Sequence, residues 1–419
     1  MSLFGALNIG VAGLDAFSNA MSVTSSNIAN VNTVGYKASS NDFATLLSNT
    51  IDTTDSAAGV VQSATQNVTQ QGILQAASST TDLGIQGNGF FVVNQNAGGT
   101  GAQLYTRVGS FTPDANGNLE NANGYYLMGY PTDATGNTAT TLSAINVDGL
   151  SGKAQATTTM SLQANLQSST AAGAPAFSRT VNVYDSQGGQ QPLTIAFTKS
   201  SANTWDYTVS YAGDAANITG ANPIYSGTMA FNTDGTLANA DTTQATPSGN
   251  ITLNIPWSAA SGLAAQTVTV DMGTLNSSNG MSQFDTASSL TNSTTNGALF
   301  GSLSGVSVDT SGNIEAQFTN GLSQKIGEVP LATFSNEDGL SPTSGTAFAQ
   351  SATSGAAVIS NAGTNGAGNI QDSSLEGSTV DLASEFTDLI TTQRAYSASA
   401  RIVTTADQML QTLEQLPST

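Results

Sequence analysis

Large apolar residues recur every seven positions at both ends of this chain and alternate with polar ones between. Near the N-terminus Leu7, Leu14, Met21 and Ile28 fall seven apart, and Phe17 and Val31 follow two of them by three. This partial a/d seam predicts an amphipathic helix of about 25 residues. Gly5, Gly10 and Gly13 weaken its start, each by ~1 kcal/mol relative to alanine. At the other end Leu375, Leu382, Leu389, Tyr396, Val403 and Leu410 keep the same spacing, with Phe386 and Leu413 widening the stripe. Glu376, Asp381, Glu385 and Asp388 lead, and Arg394 and Arg401 follow, the order a helix dipole favours. Gly377 and Ser378 form a break, Asp381 stands in the first turn, and Pro417 lies beyond the end. Together they predict a helix over 379–414.

The interior reads as strands. Phe90-Phe91-Val92-Val93 follows the turn Gly87-Asn88-Gly89, and further alternating segments lie at 104–108, 125–128, 179–184, 191–198, 204–211, 226–231, 249–255 and 266–271. The pattern resumes at 306–308, 315–318 and 325–334 after a polar stretch at 285–297. Turn signals every ~8–12 residues with alternation argue for β structure throughout the middle. The fold class expected is therefore multidomain and mainly β with α-helical termini. The two terminal helices would pair as a coiled coil around nested β domains.

The expected order is a helical domain of residues 1–32 and 376–419, linkers at 33–72 and 356–375, an inner β domain of 73–157 and 285–355, and an inserted outer β domain at 158–284. Nesting brings both chain ends together, so the two heptad segments can meet. A chain of 419 residues has material for several domains.

Composition narrows the chemistry. Eight Lys and Arg stand against 28 Asp and Glu, a formal charge of −20, and charged residues make up only 9% of the chain. Such a surface repels phosphate, so nucleic acid is not an expected partner. His and Cys are absent, which excludes disulfides, thiolate zinc sites, thiol nucleophiles and imidazole acid–base catalysis. No run reaches the ~18 apolar residues of a spanning helix, so membrane insertion is not expected. Residues 3–17 are apolar enough to suggest a secretory signal, but the first cation is Lys37. On this evidence a cytosolic location and export with an uncut N-terminus both stay open.

The remaining motifs read as structure. Gly84-x-x-Gly87-x-Gly89 precedes a strand and no Lys follows, so it is a hairpin turn rather than a phosphate loop. The runs starting at Asp114 and Asp309 lack the twelve-residue frame of a calcium loop and read as turns. Asp381 and Glu385 share a helix face and complement the dipole. No catalytic, cofactor-binding or metal-ligating residue is expected, and no cofactor. Arg394 and Arg401 share a face, where pairing between subunits and plain solvation are both open; Lys37, where the helix meets the linker, is similarly balanced.

Residues 26–37 (SNIANVNTVGYK) resemble the N-terminal signature of the bacterial flagellar rod and hook family, and 378–414 resemble its C-terminal signature. Residues 79–91 and 105–111 resemble its first β segment. The matching signature positions are Asn27, Asn30, Thr33, Gly35, Tyr36, Lys37, Asp381 and Arg394. Rod members are mostly shorter, and the insertion here, roughly 158–284, is similar to that of hook members. The resemblance implies a structural subunit, not an enzyme, that polymerises into the short curved tube acting as a universal joint between basal-body rod and filament. It implies an extracellular place in the flagellum and export, without a cleaved signal, by the flagellar type III apparatus. Implied partners are copies of itself, the distal rod and hook–filament junction proteins, the hook cap protein and that export apparatus. A distal rod subunit is the alternative within the family. A β-rich surface adhesin suits the composition but not the paired heptads, and no motif supports a glycan hydrolase.

The heptad residues Leu7, Leu14, Phe17, Met21, Ile28, Val31, Leu382, Phe386, Leu389, Tyr396, Val403, Leu410 and Leu413 are the expected polymerisation and coiled-coil interface. One helix pair buries only part of each stripe, a gain too small to outweigh the conformational entropy of ordering both ends. The ends are therefore expected to be largely disordered before assembly. The Ser-, Thr- and Asn-rich outer domain is expected to make weak, exchangeable, hydrated contacts suited to sliding.

Overall fold

The computed structural model describes residues 3–47, 57–133, 136–147, 152–174 and 177–414. It has two long helices, α1 (Leu3–Ala29) and α2 (Leu382–Glu414), with β structure between them. The chain divides into two compact units: one of residues 1–149, 305–316 and 324–419, the other of 150–304 and 317–323. No helix among the described residues is long and apolar enough to cross a membrane.

The first unit holds both helices and a sheet centred on Phe90–Asn94. All five residues of that strand are buried, because it is covered on both faces, as its unbroken apolar run requires. It pairs antiparallel with Leu104–Thr106, Tyr126–Pro131 and Pro330–Thr333. Phe90 packs edge-on to Phe334 and Phe348, both with centroids at 5.9 Å, and Phe91 does the same to Phe111 at 5.8 Å. The returning chain is zipped to the outgoing one. Asn369–Asp372 pairs with Leu83–Gln86, and Ser374–Glu376 pairs with Leu74–Ala76.

Regular structure continues through the segments expected as linkers. Strands β1 (Ser39–Leu47) and β2 (Ala57–Gln66) form an antiparallel hairpin that lies on α1. Phe43 meets Phe17 with ring centroids 5.7 Å apart, and Asn41 donates to the Ala20 carbonyl. Polar composition hides this hairpin in the sequence, since backbone pairing and one helix face order it rather than an apolar alternation of its own. Residues 48–56 of that linker lie outside the described residues.

The second unit is a two-sheet β-sandwich. An antiparallel five-stranded sheet runs Phe177–Tyr184, Gln190–Ser201, Thr204–Tyr211, Tyr225–Phe231, Leu237–Asn239. A four-stranded sheet has the order Asn250–Ile255, Gln266–Asp271, Thr159–Asn165, Ser289–Thr295, with one parallel pair at its centre. Alternate residues from both sheets (Leu193, Ile195, Phe197, Trp205, Tyr207, Leu253, Val268, Met160 and Leu162 among them) share a single buried cluster. Of the strands predicted in this unit, those at 204–211 and 266–271 are present with the same ends, and those at 179–184, 191–198, 226–231 and 249–255 with ends moved by at most three residues.

The two runs resembling calcium loops are hairpin turns. Asp114 Oδ1 accepts from the backbone of Asn116 and Asn118, both at 2.8 Å, around Gly117 at φ +80°. Asp309 does the same with Ser311 and Asn313 around Gly312 at φ +87°. Each φ lies in the left-handed region that glycine adopts without steric cost.

Candidate self-assembly interface

The two helices run antiparallel. Val403 and Ser399 face Gly10 and Gly13, and Glu385 faces Asn27. The seam on α1 consists of small or polar residues, Gly10, Gly13, Ala16, Ala20, Thr24 and Asn27, all buried. Opposite them Ser399 and Ala406 are buried on α2. A Cβ on Gly10 would stand 2.8 Å from Val403 Cγ2, and one on Gly13 would stand 2.9 Å from Ser399 Oγ. The glycines that weaken the helix in isolation are what allow close approach.

The heptad residues flank this seam. Leu7, Leu14, Phe17, Met21, Ile28 and Val31 are half-buried beside it. On α2 Leu389, Val403 and Leu410 are half-buried, while Leu382, Phe386 and Tyr396 are exposed. The Leu413 side chain lies outside those described. The cause is geometric: on a straight helix a seven-residue repeat drifts ~20° per heptad, about 80° over the four heptads from Leu382 to Leu410. The drift matches an exposed Leu382 and half-buried Val403 and Leu410, while Leu389 is half-buried and Tyr396 exposed between them.

Of the signature residues, Asn27, Asn30, Thr33, Gly35, Tyr36 and Asp381 gather at one junction, Lys37 lies just below it, and Arg394 stands apart on the exposed face of α2. Asn27, 1% exposed, donates from Nδ2 to Glu385 Oε1 and to the Ser39 carbonyl, both at 2.8 Å. Its Oδ1 accepts from Tyr36 Oη at 3.1 Å and from Ser39 N at 3.0 Å. One amide thus joins α1, β1 and α2 with its capacity well used. Thr33 donates to Asn30 Oδ1 at 3.1 Å. Gly35, at φ +67°, packs so near Arg107 and Val108 that a Cβ would lie 2.9 Å from the Val108 nitrogen. Asp381 is the N-cap of α2, accepting from Ala383 N at 2.8 Å. Burial pushes Glu385 above the usual carboxylate range, Asn27 opposes it, and Asp388 adds to it.

Below the junction lies a buried ion cluster. Glu376 accepts from Lys37 Nζ at 2.7 Å and from Arg107 Nη1 at 3.1 Å, and all three side chains are sealed from solvent. Glu376 also takes the Gly72 amide at 2.7 Å, Lys37 donates to the Gln70 carbonyl, and Arg107 Nη2 donates to the Gly87 carbonyl at 2.9 Å. Arg107 lies over the Phe90 ring, 5.1 Å from its centroid. Burial lowers the Lys37 amine below its ordinary value against the attraction of Glu376. Lys37 was singled out from the sequence, whereas Arg107 and Glu376 were not given this role. The available signal is that each is one of few charges in the chain and stands among apolar or hydroxyl-bearing residues, Arg107 directly after the strand Leu104–Thr106 and Glu376 at the end of Ser374–Glu376. Arg394 and Arg401 are exposed and form no ion pair among the described residues. No group of three or more metal-ligating residues occurs among the described residues.

Four family profiles match in chain order. They are "Flagella basal body rod protein" at 7–37, "Flagellar hook protein FlgE/F/G D1 domain" at 84–165, "Flagellar basal body protein FlaE D2 domain" at 164–298 and "Flagellar basal body rod FlgEFG protein C-terminal" at 371–416. The flagellar hook protein FlgE of Rhizobium meliloti is 33% identical over 99% of this chain and 100% of its own length. The chain belongs to the flagellar hook protein family. The Brucella abortus hook protein is 32% identical over 99% of this chain and all of its own. A Helicobacter pylori hook protein, FlgE2, aligns with 72% of the chain and 100% of itself, at 14% identity and a TM-score of 0.49. Hook proteins are structural components of the bacterial flagellum outside the cell. In this member the two rod-type profiles cover most of α1 and α2, together with Lys37 and Glu376 of the ion cluster.

Proposed function

We infer that this chain is the repeating subunit of a flagellar hook, assembling with copies of itself through the paired terminal helices. The observation that carries this reading is the apolar surface of the pair. Phe4, Phe386, Ile390 and Met409 are each at least half exposed. Phe4 and Met409 lie near one end of the pair and Phe386 and Ile390 near the other, so large apolar side chains are open to a partner at both ends. The small-residue seam binds the helices of one chain to each other and leaves the larger side chains for neighbours. Ordering of the ends is coupled to polymerisation, which keeps free subunits from joining early. The polymer is a bending joint between rod and filament. The second unit, with residues 158–284 at its centre, supplies the hydroxyl-rich outer contacts that exchange during bending. The chain leaves the cell uncleaved through the flagellar type III apparatus and meets the distal rod, junction and hook cap proteins.

Hydrogen exchange on the free subunit tests the coupling. Amides of α1 and α2 exchange freely in solution and become protected in the polymer. Full protection of both helices in a monodisperse subunit contradicts it. Deleting residues 1–32 or 376–419 abolishes tube formation seen by electron microscopy, and normal tubes from either deletion refute the assembly role.

A further inference from the structure

The helix pair carries opposite charges on opposite outer faces at one height. Asp15 is the single charged residue of α1 and is exposed. At 100° per residue it points roughly 140° away from the seam residues Gly13, Ala16, Ala20 and Thr24. Arg394 and Arg401 are the cations of α2, are exposed, and point about as far from the seam formed by Ser399 and Ala406. The antiparallel register sets their level. Gly13 lies beside Ser399 and Asn27 beside Glu385, so residue 397 is level with Asp15, midway between the two arginines.

Three further features fit a ligand carboxylate at that height. Arg394 and Arg401 flank a shallow stripe on the open face of α2 that Ile390, Gln393, Ser397 and Ala398 complete. None of the three charges has an opposite charge three or four residues away on its own helix, the spacing that would satisfy it internally. Apolar side chains accompany both faces, Val11 one turn before Asp15 and Ile390 one turn before Arg394.

Lateral repetition of the pair sets the outer face of one α2 against the outer face of the next α1. We propose that Asp15 of one subunit sits between Arg394 and Arg401 of its neighbour, making the two helix faces a heterologous, charge-complementary contact. Such a contact repeats in one sense only, and it generates a ring or a helical tube rather than a closed dimer. The occupant is a second copy of this chain, so the inference rests on the self-assembly reading and adds which faces meet.

The test uses two full-length charge-reversal variants, Asp15→Arg and Arg394→Glu/Arg401→Glu, assembled separately and mixed. Pelleting and electron microscopy give the assembly onset, and tryptophan fluorescence and circular dichroism check each fold. Each variant alone opposes like charges at every contact, so its onset concentration rises about tenfold. An equimolar mixture restores every attraction by alternating the two chains and returns the onset to within about twofold of the unaltered chain. Either variant assembling at the unaltered onset, or a mixture as impaired as its components, overturns the inference. If the unaltered chain forms no tubes, the self-assembly reading itself falls, and this inference with it.

Discussion

Replacing Glu376 with Gln removes the one carboxylate that both Lys37 and Arg107 contact. Gln is nearly isosteric and retains an acceptor for the Gly72 amide, so the change isolates charge from shape. Both cations then sit sealed from water with no carboxylate in contact, Glu337 being the remaining buried acid close enough to act on them. Breaking a buried pair in this way costs about 3–5 kcal/mol, with Glu337 holding the loss toward the lower figure. With a urea dependence of about 2 kcal/mol per molar, the unfolding midpoint of the first unit falls by roughly 1.5–2.5 M. The two units can be read separately. Trp205 and Trp257 both belong to the second unit, so tryptophan fluorescence follows it alone. Pulse-labelled hydrogen exchange of peptides containing Phe90–Asn94 follows the first. Glu376→Gln lowers the exchange midpoint and leaves the fluorescence midpoint in place. Adding Lys37→Met removes one of the two stranded cations and restores part of the loss. Lys37 also gives a pH signature. Its folded value is depressed, so its burial cost is fully present below that value. The cost is relieved as pH rises toward the ordinary lysine range, and first-unit stability gains from this group there. Lys37→Met lacks that gain. An exchange midpoint unmoved by Glu376→Gln refutes the argument that this cluster holds the base of the helices.

Three other substitutions have defined outcomes. Asp241 is 1% exposed; burial opposes its ionisation, but hydrogen bonds from Tyr225 and Thr243 outweigh it and hold it below the usual range. The stability this gives is present above the unfolded value near 4 and is lost as pH falls below it, so Asp241→Asn removes part of the acid sensitivity of the fluorescence-detected transition. Gly10→Val drives a branched side chain into Val403 and costs polymer stability about 1–3 kcal/mol, read as a lower temperature of tube disassembly. Asn27→Ala strips the Glu385 carboxylate of its donor and leaves Ser39 groups unpaired, a loss of about 2–4 kcal/mol. Carboxyl resonances of the polymer then show Glu385 titrating at higher pH than in the unaltered chain.

The sandwich strands were legible because each alternates apolar and polar residues between clear turns, as Thr204–Tyr211 does with Trp205, Tyr207, Val209 and Tyr211 inward. Thr159–Asn165 was missed although it is central to its sheet. Its inward residues are Met160, Leu162 and the small Ala164, and it sits in a hydroxyl-rich tract that resembles a linker. Ser289–Thr295 was missed for another reason: it pairs at a sheet edge, with Leu290 half-buried and its remaining positions polar, so its order comes from the neighbouring backbone. The β1–β2 hairpin is of the same kind.

The helices show a sharper separation between what periodicity reveals and what contact requires. A row of large residues every seven positions locates a helix and tells that one side of it is sticky. It does not tell which side meets the partner within the chain, because two close-packed helices are held apart by large side chains and brought together by small ones. Gly10, Gly13, Ala16 and Ala20 form their own repeat of three and four, and in isolation they read as helix weakeners or neutral filler. Reading both repeats at once assigns them different duties. The small row of α1, with Val403 and Ser399 of α2 set against it, joins the two helices within one subunit; on the assembly reading proposed above, the exposed Leu382 and Phe386 are left for a neighbouring subunit. A chain built to polymerise needs the second row unsatisfied when it is alone. On that reading, the exposure of Phe386 on the helix whose seam Ser399 and Ala406 close is the form the requirement takes here.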